Sequence, residues 1–132
     1  MQNALYLAFG LFFLKHFIVD FLLQPSWMFL NKSKFGHPGG LAHSGLHSLV
    51  TGLLLYGLYQ YGYVGPTTAV NMVVWLAVIE FPIHYMIDWA KMNASIMFGW
   101  GANTHMEFWY ALGFDQLLHY LTYLYILMMW FR

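Results

Sequence analysis

Apolar residues run through this chain in four long stretches, and each stretch carries polar side chains at four-residue intervals. The first spans about Ala4 to Gln24 and stops at Pro25, a residue that disfavours helix in its predecessor. The second runs from about Leu41 to Tyr63, the third from about Ala69 to Lys91, and the fourth from about His105 to Phe131. Each is near the ~20 mostly apolar residues that cross a bilayer as a helix. The breaks between them are polar or rich in Gly and Pro: Asn31–Gly40, Gly65-Pro66 and Gly99–Asn103. Thr67 or Thr68 is the expected N-cap of the third helix. Pro82 inside that helix predicts a kink and a freed carbonyl near Val78. Short connections make neighbours antiparallel, so the pattern predicts an all-α, four-helix antiparallel transmembrane bundle forming a single domain over residues 1–132.

Composition sharpens that reading. Apolar residues make up 61% of the chain and charged residues only 8%. Soluble domains run at about 45–50% apolar and about 25% charged, so too little charge is present to coat a water-facing surface. The expected surroundings are a lipid bilayer. Five basic against five acidic residues exclude a nucleic-acid binder, which needs a basic patch to neutralise phosphates. With no cysteine there is no disulfide, thiolate metal site or cysteine nucleophile. Met1-Gln2-Asn3-Ala4 lacks the positive region of a secretory signal, so the first stretch is expected to be retained. Lys32, Lys34 and Lys91 flank one side and Arg132 the other, which predicts both long loops in the cytoplasm and both termini outside.

The polar residues inside the stretches form series: His16-x3-Asp20-x3-Gln24, His43-x3-His47, Glu80-x3-His84-x3-Asp88 and Asp115-x3-His119. Residues four apart share one face of a helix. In an antiparallel bundle the ends carrying these series all meet on one side. His16, His47, His84 and Asp115 then lie about 10–12 Å in, at ~1.5 Å per residue, with Asp20, His43 and Asp88 shallower. A single intramembrane His is commonly hydrogen-bond glue between helices, but glue does not require seven or more ionisable groups in one layer. Lys32, Lys34 and Arg132 read as topology and interface anchors, Glu107 and His105 as interfacial groups, and Tyr120–Tyr125 as packing.

Imidazole and carboxylate without thiolate suit one or two divalent ions of the Zn, Mn or Fe kind. The expected ligands are His16, Asp20, His43, His47, His84, Asp88, Asp115 and His119, with Gln24 and Gln116 orienting them. Bundles build such sites from inward-facing residues on adjacent helices. The expected activity is a metal-dependent membrane hydrolase acting on a phosphoester or lipid-linked substrate at the cytoplasmic leaflet. Asp20 and Asp88 would be catalytic, and Lys91 would anchor the substrate. Two other readings compete: a non-catalytic accessory subunit of a larger membrane assembly, and a proton or metal-ion conduit. As partners, a homo-oligomer or larger membrane complex is expected beside the bilayer, and no nucleic acid.

The motif order carries a resemblance. His16/Asp20/Gln24, the Asn31-Lys32 pair, His43/His47, His84/Asp88/Lys91 and Asp115/Gln116/His119 follow one another along nearly the whole chain. The sequence resembles a domain-of-unknown-function family of small bacterial and bacteriophage integral membrane proteins with this succession of motifs. That resemblance implies a bacterial inner-membrane location and names no activity. The membrane His/Asp motifs alone also resemble those of small membrane-bound metal-dependent hydrolases induced by DNA damage.

Overall fold

The computed structural model of the protein describes residues 2–132. It is all-α, with four long helices and one short one: α1 (Gln2–Phe17), α2 (Ser26–Phe29), α3 (Pro38–Gln60), α4 (Asn71–Met97) and α5 (Met106–Trp130). α1 packs on α3 and α5, and α4 packs on the same two, so the order around the bundle is α1, α3, α4, α5. Two segments, Gln2–Leu22 and Asn71–Met97, are long and apolar enough to cross a membrane.

Four local features differ from the sequence expectation. α1 does not run on regularly to Gln24; it passes into a π-helical turn, Ile18–Leu22, closed by Leu23 N–H donating to the Ile18 carbonyl at 2.9 Å. The loop after Pro25 contains the extra helix α2. α4 continues past Lys91 to Met97, with Pro82 inside it. One residue before the carbonyl that Pro82 leaves without its helical donor, Ser48 Oγ donates to the Ala77 carbonyl. Neither Thr67 nor Thr68 caps α4, which starts after Val70 without a side-chain cap. Thr68 instead accepts from Gly65 N–H and donates to the Trp130 carbonyl, tying the α3–α4 turn to the end of α5. Gly65 is required in that tie: a Cβ there would lie 2.5 Å from the Phe131 carbonyl carbon.

The interior is divided along its axis. One half is apolar and built on Ala8, Phe12, Leu55, Leu76, Tyr123, Ile126 and Trp130. The indole of Trp130 closes that end by donating to the Tyr63 carbonyl at 2.8 Å. The other half buries Lys15, His16, His43, His47, Glu80, His84, Asp88, Asp115 and His119, while Leu14, Leu49, Leu53, Val74, Trp75, Leu117 and Met128 face outward. This inverts the usual arrangement of a water-soluble domain, in which charged residues are almost never fully buried. The polar half lies at the end bearing the two long loops, where Asn93 Nδ2 donates to the Ser33 carbonyl at 2.9 Å and the Tyr85 hydroxyl accepts from Gly36 N–H at 2.6 Å.

Candidate metal centre

Each wall of the polar half is supplied by a different helix. α1 and its π turn bring His16 and Asp20, α3 brings His43 and His47, α4 brings His84 and Asp88, and α5 brings Asp115 and His119. The five imidazoles form one cluster of tilted and edge-on rings, with centroids 3.8 Å apart for His47 and His84, 4.1 Å for His84 and His119, and 4.7 Å for His43 and His47. π-helical turns often mark functional sites, and here the turn holds Asp20 against three of these rings. Asp20 Oδ1 is 3.0 Å from His43 Nε2 and 3.1 Å from His47 Nε2, and Oδ2 is 3.0 Å from His16 Nε2. Asp88 faces the rest: its Oδ2 is 3.3 Å from His43 Nε2 and 3.5 Å from His84 Nε2, and its Oδ1 is 3.5 Å from His119 Nε2.

Two groups have ligand atoms close enough to share an ion: Asp20, His43, His47 and His84, and then His84, Asp88 and His119. The donor chemistry fits a divalent metal. Nε2 is the inward atom of these rings, and the buried Nδ1 atoms of His43, His47 and His84 make no hydrogen bond among the described residues. A proton on Nδ1 leaves Nε2 free to ligate. His119 Nε2 and Asp115 Oδ1, 3.6 Å apart, are likewise buried without hydrogen-bond partners, as expected of atoms that serve a cation.

His16 and Asp115 flank these groups. His16 Nε2 faces Gln116 Oε1 at 2.9 Å as well as Asp20, and both are acceptors, so this nitrogen carries the proton. The Tyr123 hydroxyl then donates to His16 Nδ1 at 2.8 Å. Gln116 donates to Asp115 Oδ2 at 3.0 Å, bridging the two flanking residues. Gln24 donates to the Asp20 carbonyl at 2.6 Å, steadying the π turn. Lys91 lies at the rim, its ammonium 5.1 Å above the Phe108 ring.

Three residues outside the expected ligand set belong to the centre. Lys32 is no surface anchor: it is buried, 2.8 Å from Asp88 Oδ2 and 2.9 Å from His43 Nε2. Its pairing with Asn31 in the motif succession was the available signal. Glu80 pairs with Lys15 beneath the imidazoles, and its Oε1 lies 3.9 Å from His47 Nδ1. Tyr123, read as packing, joins that layer through His16 and through Lys15 Nζ at 3.4 Å.

A polar cavity of about 220 Å³ adjoins the centre, lined among others by Asp20, Lys32, Asp88, Lys91, Asp115 and Gln116. A family model described as a protein of unknown function, DUF3307, matches residues 8–132. The chain belongs to the DUF3307 family. The DUF3307 match includes every residue of both ligand groups. No curated protein and no solved structure matches the chain.

Proposed function

We propose that the protein is a metal-dependent phosphoester hydrolase embedded in a bilayer, with its centre near the cytoplasmic face. The observation that carries this reading is the convergence of five imidazoles on Asp20 and Asp88, directly beside a cavity walled by Lys32 and Lys91. The buried ionisable layer and the apolar outer faces support a reading with four spans. α3 and α5 have 23 and 25 residues, which at ~1.5 Å per residue covers a hydrocarbon core of about 30 Å. They bury His43, His47, Asp115 and His119, keep Glu107 exposed at the start of α5, and leave Leu49, Leu53, Leu121 and Met128 outside. Lys34 and Lys91 at one end against Arg132 at the other support the cytoplasmic orientation. The family resemblance supports a bacterial inner membrane.

Asp20, His43, His47 and His84 would hold one ion, and His84, Asp88 and His119 define an overlapping position. A bound divalent ion supplies a water acidified to near neutral pH and polarises a phosphoryl oxygen. The chain's own groups do the rest. Asp20 and Asp88 line both the ligand cluster and the cavity, so their carboxylates would orient an incoming water, take up its proton as the new P–O bond forms, and return it to the alcohol oxygen as the ester P–O bond breaks. Lys32 and Lys91 present ammonium groups to the anionic oxygens of the ester. Phe21, Phe29 and Leu112 on the same walls limit bulk water. A conduit is less well supported, since the apolar half offers no polar continuation beyond Lys15 and Glu80.

The test is elemental analysis of protein purified in chelator-free detergent, followed by assay of the loaded protein on phosphoesters. About one to two equivalents of a transition metal, and hydrolysis that Asp88→Asn abolishes, are expected. Metal-free protein that co-purifies in fixed ratio with larger membrane subunits overturns the reading in favour of an accessory subunit.

A further inference from the structure

A second depression, of about 470 Å³, runs between α4 and α5 on the outer face of the bundle. Its walls are mostly apolar, with Ile87, Ala90 and Ala94 on α4 facing Ala111, Phe114 and Leu118 on α5, and its charged lining is Lys91, Asp115 and the exposed Glu107. The three alanines open it, because each leaves room where a larger side chain would pack across. Lys91 and Asp115 line both this groove and the polar cavity. They stand between the two like doorposts. Grooves between Leu7 and Tyr61 and between Gly45 and Val78 are also apolar, but neither shares a residue with the polar cavity.

Charge decides what fits across that junction. Lys15 is paired with Glu80 and Lys32 with Asp88. Lys91 forms no salt bridge among the described residues; its ammonium contacts Met92 Sδ at 3.9 Å and the face of Phe108. Within the cavity, one divalent ion together with Lys32 and Lys91 would outweigh Asp20, Asp88 and Asp115 by a single positive charge, while Glu107 lines the groove and not the cavity, so the positive side of the junction is the inner one. The loaded centre therefore favours an anion. The cavity's volume, about 220 Å³, falls below the usual range of about 300–1,000 Å³ for ligand sites, so the head it admits is small. The groove's 470 Å³ lies within that range.

We propose that the α4–α5 groove holds the hydrocarbon chain of a membrane lipid bearing a compact phosphate head, and that the head passes between Lys91 and Asp115 into the polar cavity. The proposal deepens the hydrolase reading by naming its substrate class, and it rests on that reading for the loaded centre. Such a lipid enters sideways from the bilayer, with no need to leave it.

The experiment uses the metal-loaded, full-length protein in phosphatidylcholine nanodiscs with a photoreactive phosphatidic acid whose diazirine lies along the acyl chain, and maps labelled peptides by mass spectrometry. Labelling is expected to concentrate on Ala90–Ala94 and Tyr110–Phe114, and to be competed by unlabelled phosphatidic acid but not by added phosphatidylcholine. Ala111→Phe, which fills the groove, should lower that labelling about tenfold with metal content unchanged, and Ala94→Leu should repeat the effect should the first variant fail to fold. Lys91→Met should keep a chain in the groove but lose the preference for phosphatidic acid, a change of about tenfold for one charge-assisted contact. Labelling spread evenly over Leu53, Val74 and Leu121, or undiminished in both groove variants, overturns the proposal. Focused labelling without phosphate release would instead overturn hydrolysis and leave the lipid site standing. Release of phosphate from a soluble ester with diffuse labelling would do the reverse.

Discussion

The ammonium of Lys32 lies 2.8 Å from Asp88 Oδ2, so a loop residue supplies a cation to the centre of a bundle whose other site residues come from the long helices. The same ammonium is 2.9 Å from His43 Nε2, where it competes for a nitrogen and a carboxylate that a metal would use. Breaking a buried ion pair by removing one partner costs about 3–5 kcal/mol. Lys32→Met should therefore lower the melting temperature of metal-free protein sharply, and added metal should restore most of the loss by neutralising Asp88. Thermal melts in detergent, with and without a divalent ion, check this; equal destabilisation in both conditions would refute competition between Lys32 and the metal.

His84 belongs to both ligand groups, while His47 and His119 each belong to one. Metal content by elemental analysis should accordingly fall furthest for His84→Ala. His47→Ala and His119→Ala should each retain more of it. Asp20→Asn keeps the shape of the side chain and removes its charge, so it should also reduce the content. All four variants folding normally and holding as much ion as the parent would remove the metal centre altogether.

The buried Lys15–Glu80 pair invites a double-mutant cycle. Either Lys15→Met or Glu80→Leu alone strands a charge in the interior and should destabilise by about 3–5 kcal/mol. The pair of changes together should recover most of that, because no unpaired charge is left. Denaturation midpoints of the four proteins measure the coupling, and additive losses would show that the pair does not act as a unit.

Tyr123→Phe removes the hydroxyl that donates to His16 Nδ1 at 2.8 Å. Losing a group that orients residues around a metal typically costs about 10–100-fold in affinity or activity. Tyr123 acts one bond further out, through His16 on Asp20 Oδ2, so metal titration should show a loss at or below the lower end of that range, with little change in fold, since the ring itself packs edge-on to Phe12 at 5.4 Å.

The chain has no native thiol, so introduced cysteines report sidedness directly. Ser33→Cys and Tyr61→Cys should label from opposite faces of the membrane, Ser33→Cys from the cytoplasm. Tyr61 suits this purpose because it is 82% exposed, whereas Gly65 nearby is packed against Phe131. Labelling of Ser33→Cys from outside would reverse the orientation.

The four long helices were legible because Pro25 and Gly65-Pro66 interrupt apolar stretches of helical length. The meeting of His16, Asp20, His43, His47, His84, Asp88 and His119 was legible too, since an i,i+4 spacing fixes a shared face before any tertiary contact is known. The π turn was not. Its Leu23-to-Ile18 bond replaces the ordinary helical one, and nothing in the apolar run from Phe17 to Leu23 marks that change. Lys32 escaped notice because a loop residue's reach depends on where the loop folds, here on α2 and on Asn93 holding the Ser33 carbonyl. The partner of Glu80 was hidden for a related reason: Lys15 sits on another helix, and i,i+4 counting sees only one helix at a time.

The even spread of ionisable groups over the helices bears on how such a protein would be made. On the membrane reading proposed above, no long helix is free of side chains that partition poorly alone: His16 and Asp20 belong to the first segment, His43 and His47 to α3, Glu80, His84 and Asp88 to α4, and Asp115 and His119 to α5. Insertion as two hairpins, α1 with α3 and α4 with α5, would leave each pair with half of a polar layer. Assembly of the site and completion of insertion would then be a single event.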